Sequence, residues 1–134
     1  MKIAICIDKS GGILFNNRRL SQDSVLREQL LEIVGSDKLY LNEYSAKQFE
    51  DKSKLEINEN FLDAATDDDL CFVENVEVDI AKVSQVYLFH WNRAYPSDTY
   101  FEFDAKASGF KKIKTKEFVG SSHKKITLEV YVRK

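Results

Sequence analysis

An α/β fold built on a mixed sheet is what this sequence predicts, and three observations predict it. Lys2 to Ile7 is continuously apolar after Lys2, the pattern of a strand buried on both faces. Helical and strand patterns then alternate, which points to a sheet with helices packed on its faces. Last, two strand patterns, Phe110 to Val119 and Lys125 to Arg133, flank Gly120-Ser121-Ser122-His123, as in an antiparallel hairpin.

Local chemistry justifies the elements in order. Asp8-Lys9-Ser10-Gly11-Gly12 breaks the first strand in a turn before Ile13-Leu14-Phe15. Ser21 or Asp23 can cap a helix that runs to about Val34, with apolar Val25, Leu26, Leu30, Leu31, Ile33 and Val34 at helical spacing and Gly35 as its stop. Lys38 to Leu41 reads as a strand, and Ser45 as the N-cap of a helical Ala46 to Phe49. Residues 50–59 are polar and read as a surface connection. Asn60 is the expected cap of a short helix, Phe61 to Ala65. Leu70 to Val73 is an apolar strand, Val76 to Val83 a short helix, and Gln85 to Phe89 another strand. Thr99 to Phe103 is a further β-rich piece. In the last strand Ile126, Leu128, Val130 and Val132 alternate with Thr127, Glu129, Tyr131 and Arg133, giving one apolar and one mixed face.

Composition bounds the function. The 134 residues are 43% hydrophobic and 31% charged, enough for one core, so a single domain over residues 1–134 is expected. The net charge of -2 argues against a nucleic acid as a direct, sequence-read partner. No apolar run reaches the ~18 residues of a membrane span, and MKIAICID does not read as a signal peptide. Cys6 and Cys71 lie among apolar neighbours and read as buried thiols in a reducing, cytoplasmic setting, with no disulfide and no metal site. Asp67-Asp68-Asp69 is a solvated turn, since consecutive side chains cannot all point one way.

Taken in chain order, several segments together resemble dihydrofolate reductase. The opening strand ends in Asp8 and leads into Gly11-Gly12-Ile13-Leu14-Phe15-Asn16-Asn17, similar to that family's Gly-x-Ile-Gly-x-x-Asn loop. Leu20-Ser21-Gln22-Asp23 is similar to its Leu-Pro-x-Asp, which opens the first helix with a substrate-binding carboxylate. Val86-Tyr87-Leu88-Phe89-His90 is similar to its Leu-Tyr-Leu-Thr-His strand, Ser97-Asp98-Thr99-Tyr100-Phe101 to its Gly-Asp-Thr-x-Phe, and the terminal Glu129-Val130-Tyr131-Val132-Arg133-Lys134 to its Glu-Ile-x-x-Arg-Lys. The resemblance implies a shortened, three-layer version of the reductase sandwich.

The departures bear on chemistry. Leu14 replaces the loop glycine, and the Pro-Trp segment before the first helix is missing. Asn42-Glu43-Tyr44-Ser45 stands where the family has Gly-Arg-x-Thr, so an acid replaces the Arg that meets a cofactor phosphate. Glu74-Asn75 stands where a Gly-Gly turn lets backbone approach the pyrophosphate. The adenosine-binding strand and helix have no counterpart. No cofactor is therefore expected, NADPH included. The chain is also similar to a group of short, uncharacterised bacterial proteins often labelled ribonuclease Z. That hydrolase needs a metal-binding His and Asp cluster, and His90 and His123 are the only histidines here.

The candidate ligand-binding residues are Arg18, Arg19, Asp23 and Ser45. Asp23 can act as a negative acceptor, an Arg as donor to an anion, and Ser45 as a hydroxyl at the floor of the site. Used this way, Asp23→Asn and Arg19→Ala are expected to abolish function while leaving the melting temperature nearly unchanged. Trp91, Asn92, Arg93 and Tyr95, around Pro96, could stack on a planar ligand or anchor a protein partner. Ser121, Ser122 and His123 form a candidate anion loop, and His123 has no acidic partner nearby in sequence. The reading these imply is a reductase-like scaffold that has lost its NADPH site and binds a small planar or phosphate-bearing ligand. Two readings stand beside it: a small interaction or inhibitor protein of a mobile element, and an active reductase-type oxidoreductase. A deep pocket joining Asp23, Arg19 and Ser45 favours ligand binding; a filled pocket with exposed Trp91 and Tyr95 favours protein contacts.

Overall fold

The computed structural model describes residues 1–134. Its strands are β1 (Lys2–Ile7), β2 (Gly12–Phe15), β3 (Arg18–Arg19), β4 (Leu39–Leu41), β5 (Leu55–Ile57), β6 (Leu70–Val73), β7 (Gln85–His90), β8 (Thr99–Tyr100), β9 (Phe110–Phe118) and β10 (Ile126–Arg133). Its α-helices are α1 (Ser24–Val34), α2 (Glu43–Ala46) and α3 (Phe61–Ala64), with a 3₁₀ turn at Ile80–Lys82.

Seven strands form the main sheet in the order β5-β4-β6-β1-β7-β10-β9, and β3-β2-β8 form a small antiparallel sheet. β1 is central and parallel to both β6 and β7, with Ile3 level with Cys71 and Val86. That position explains the unbroken apolar run. Ala4 packs on the α1 face with Leu26, Leu30 and Phe89, while Ile3 and Ile5 pack on the opposite face with Phe61, Val73 and Leu88. β10 runs antiparallel to β7 and β9, so the C-terminal hairpin makes the sheet mixed. The alternation in β10 serves the same division: Ile126, Leu128 and Val130 belong to the α1 face and Tyr131 to the other. The exposed outer strand β9 carries Lys111, Lys112, Lys114 and Lys116, charges that discourage edge-to-edge pairing.

α1 starts where a carboxylate caps it. Asp23, not Ser21, is the N-cap, and Gly35 (φ 58°) ends the helix in a conformation that favours glycine. Three expectations need correction. The second helix begins earlier: Asn42 caps α2 and accepts the Ser45 N–H at 3.1 Å, so Ser45 is not its cap. Residues 50–59 contain an edge strand, β5, whose one buried residue, Leu55, leaves no periodic pattern to read. Val76 to Val83 forms only a single 3₁₀ turn, because β-branched Val76, Val78 and Ile80 pack against the sheet from an irregular segment. No helix is long and apolar enough to cross a membrane.

Candidate functional site

The carboxyl ends of the central strands deliver Asp8 after β1, Glu74 after β6, Asn42 after β4 and Trp91 after β7. In open α/β sheets this edge is where ligands gather.

Asp8 is buried and organises the loops above β1. One carboxylate oxygen accepts the N–H groups of Ser10 and Gly12 at 2.9 and 2.7 Å; the other accepts the Tyr95 N–H at 3.0 Å. Burial raises its pKa, but the N–H groups of Tyr95, Gly12 and Ser10 outweigh it and hold the carboxyl below its usual range. Asp8 thereby fixes the backbone of Tyr95, a role not visible in the sequence because its partner lies far along the chain.

Arg19 is turned inward. Its guanidinium meets Glu74 through two bonds of 3.0 and 3.2 Å, donates to the Tyr44 carbonyl at 3.0 Å and lies 4.3 Å from the centre of the Tyr44 ring. Glu74 thus occupies Arg19, and the arginine left free for an anion is the exposed Arg18. Gln48 also donates to Glu74, at 2.9 Å, and Asn42 to Asn75, at 2.8 Å. Ser45 is buried, and its hydroxyl has no hydrogen-bond partner.

Asp23 is enclosed as well, with a side chain 0% exposed. One oxygen accepts the N–H groups of Val25, Leu26 and Ser121 at 2.9, 3.2 and 2.9 Å. The other accepts the Ser122 N–H and the His123 Nδ1–H, both at 2.9 Å, and the Ser122 hydroxyl at 3.2 Å. Burial pushes this pKa up; the bonds from His123, Ser121, Ser122 and Leu26 overcome it and keep the carboxyl far below the ordinary range. A carboxylate so surrounded clamps the loop after β9 to the start of α1 and leaves no lone pair for a ligand. These contacts count against an unchanged melting temperature in Asp23→Asn, since an amide cannot accept all of them.

His123 is the hub of the candidate anion loop. It is 4% exposed and stacks on Trp91, ring centres 4.4 Å apart. Its Nε2 lies 3.1 Å from the Ser21 hydroxyl and 3.0 Å from the Tyr95 hydroxyl. Because an ionised carboxylate can only accept, Nδ1 carries a hydrogen toward Asp23, and Nε2 faces the two hydroxyls. Its acidic partner, absent nearby in sequence, is therefore Asp23. Trp91 is 4% exposed and belongs to the core, so it offers no surface anchor. Asn92 donates to the Lys125 carbonyl and the Thr127 hydroxyl, while Arg93 is exposed. His90 pairs with Glu129, which Lys112 also meets, in a contact on the far side of the sheet.

The cleft expected to join Asp23, Arg19 and Ser45 is closed. Asp23 and Ser45 are buried, and the cavity of about 10 Å³ beside Arg19, lined by Cys6, Ser21, Glu74 and Trp91 among others, includes neither. The open space lies beside it. A cavity of about 560 Å³ is walled by Phe15, Asn16, Arg18, Arg19, Leu20, Tyr95 and Pro96, between the β2–β3 hairpin and the loop after β7. A second cavity, of about 440 Å³, has mostly apolar walls from Ile5, Ile13, Val76 and Tyr100 and carries Glu77 and Glu102 but no Lys or Arg. No group of His, Cys, Asp and Glu is placed to hold a metal ion. Both cysteines are free thiols, with burial pushing Cys71 up to about 12.

No family model matches the chain, and no curated relative matches it. Solved structures do. The dihydrofolate reductase from Enterococcus faecalis, complexed with NADP(H) and RAB-propyl, matches with a TM-score of 0.65 over 99% of this chain and 96% of that one, at 15% sequence identity. At that identity the likeness speaks for architecture alone: the chain has a dihydrofolate reductase-like α/β fold.

Proposed function

We propose that this reductase-like scaffold binds a small planar, anion-bearing ligand, such as a phosphate ester, in the cavity between the β2–β3 hairpin and the loop after β7, and that it has no NADPH site. One observation carries the reading: a 560 Å³ cavity has the exposed, unpaired Arg18 at its wall, together with the aromatic rings of Phe15 and Tyr95. A planar ligand gains stacking on such rings, and Arg18 supplies a fork of donors to an anion. Of the four residues expected to bind the ligand, this reading uses Arg18 and Arg19 in different ways. Arg18 contacts the ligand directly, while Arg19 keeps its place through Glu74.

Charge supports the loss of NADPH. The Enterococcus enzyme was solved with NADP(H). In this chain Glu43 and Glu74 stand where the family places an Arg and a glycine, and the 440 Å³ cavity presents Glu77 and Glu102 with no cation. Carboxylates lining such a space repel a pyrophosphate.

Calorimetric titration tests both halves. NADPH is expected to give no heat of specific binding, and micromolar affinity would overturn that half. Pyridoxal phosphate, as a planar phosphate-bearing probe, is expected to bind with an affinity that falls with salt and is lost in Arg18→Ala. Equal binding by wild type and Arg18→Ala would overturn the pocket.

A further inference from the structure

We infer that Ser21, His123 and Asp23 form a nucleophile–base–orienter set that hydrolyses small carboxylic esters. Asp23 Oδ2 lies 2.9 Å from His123 Nδ1, and His123 Nε2 lies 3.1 Å from Ser21 Oγ. These are the distances and the order of contacts that proton transfer from a serine requires, and such sets are recognised by geometry rather than by sequence order. The orientation is the productive one: Asp23 holds Nδ1, which turns Nε2 toward the Ser21 hydroxyl.

The surroundings agree. The ring of His123 is locked by stacking on Trp91, so the base has one orientation. Ser21 is half-buried rather than sealed. The small space in front of it shares Arg19 and Leu20 with the 560 Å³ cavity, so the nucleophile lies next to the open pocket. The N–H of Ser21, a residue that lines the small space, donates to no protein acceptor. Tyr95, whose hydroxyl also reaches Nε2, lines that pocket.

The chemistry balances without a co-reactant. Ser21 Oγ bonds to the ester carbonyl carbon as its proton passes to His123 Nε2. The bond to the alcohol oxygen breaks, and the departing alkoxide takes the proton from Nε2. Water then attacks the acyl group, gives a proton to Nε2, and Ser21 leaves with that proton. Ester and water become acid and alcohol. Asp23 is a positioning residue and touches no reacting atom. The preference for an anionic acyl or alcohol portion rests on the Arg18 pocket proposed above; the nucleophile itself does not.

The test uses a neutral probe first. Diisopropyl fluorophosphate is expected to modify Ser21, located by peptide mass spectrometry, with labelling lost in Ser21→Ala. Ser24→Ala, which alters a neighbouring exposed serine, is expected to label like wild type. Circular dichroism melting establishes that both variants are folded. No labelling of the folded wild type, or equal labelling in Ser21→Ala, overturns the inference. A second arm follows hydrolysis of p-nitrophenyl acetate and of the anionic p-nitrophenyl hemisuccinate. Arg18→Ala is expected to raise KM for the anionic ester alone. Labelled Ser21 with no such KM change leaves the nucleophile standing and removes the pocket; anion binding without labelling does the reverse.

Discussion

Replacing Asp23 by Asn is a demanding test of the clamp, because the substitution keeps shape and changes only charge and donor count. The carboxylate accepts five N–H bonds and one hydroxyl bond, divided between the start of α1 with Ser121 and the Ser122–His123 pair. An Asn offers one oxygen. With that oxygen toward α1, its NH₂ faces the Ser122 N–H and the His123 Nδ1–H; rotated, it faces the helix N–H groups. His123 can relieve one clash by moving its hydrogen to Nε2, but the Ser122 N–H still loses its acceptor. A charged hydrogen bond is worth about 1.5–3 kcal/mol and an orphaned buried donor costs about 1–3 kcal/mol, so a loss of roughly 3 kcal/mol follows. For a chain of this length that corresponds to a drop of about 10 °C in Tm. The pH dependence has a definite sign. The folded pKa of Asp23 is depressed, so its contribution is present above the unfolded value near ~4 and is lost as pH falls toward the folded one. Thermal melts followed by circular dichroism at pH 7 and pH 3 therefore show the wild type losing more stability in acid than Asp23→Asn. A Tm drop below about 2 °C at pH 7, or equal acid sensitivity of the two proteins, would refute the clamp. The same variant holds His123 in the tautomer that cannot accept the Ser21 proton, so labelling of Ser21 falls with it.

Three further outcomes concern the residues around this clamp. Gly120→Ala places a methyl group on the Asp23 carboxylate, so it destabilises the wild type but costs much less in an Asp23→Ala background, which paired denaturation curves reveal. A double-mutant cycle of Arg19→Ala with Glu74→Ala gives a coupling of about 1–2 kcal/mol in urea unfolding, since the pair is only 20% and 9% exposed; zero coupling would mean that Glu74 does not engage Arg19 in solution. Trp91→Ala lowers stability by about 3–5 kcal/mol as a core truncation; a change below 1 kcal/mol would return this residue to the surface role first expected of it.

The sequence by itself determined the elements whose signal is local. β1 was legible because a strand buried on both faces leaves an unbroken apolar run. α1 was legible from its apolar spacing, from Asp23 and from Gly35, since cap chemistry acts within a turn. The C-terminal hairpin declared itself by alternation about a loop. Weakly patterned elements did not. β5 buries only Leu55, and α2 is one turn whose cap, Asn42, sits four residues before the expected helix. The site was legible mostly as a set of residue types. Arg18, Arg19, Asp23, Tyr95 and His123 could all be named in advance, but their use could not. Asp23 meets His123 across 100 residues of chain, Arg19 meets Glu74 across 55 and Asp8 meets the Tyr95 N–H across 87. Which lone pair is spent inside the protein, and which cation stays free, depends on those distant partners. Only the packed sheet, by bringing its carboxyl ends together, decided that Asp23 faces a histidine and that Arg18 faces open space.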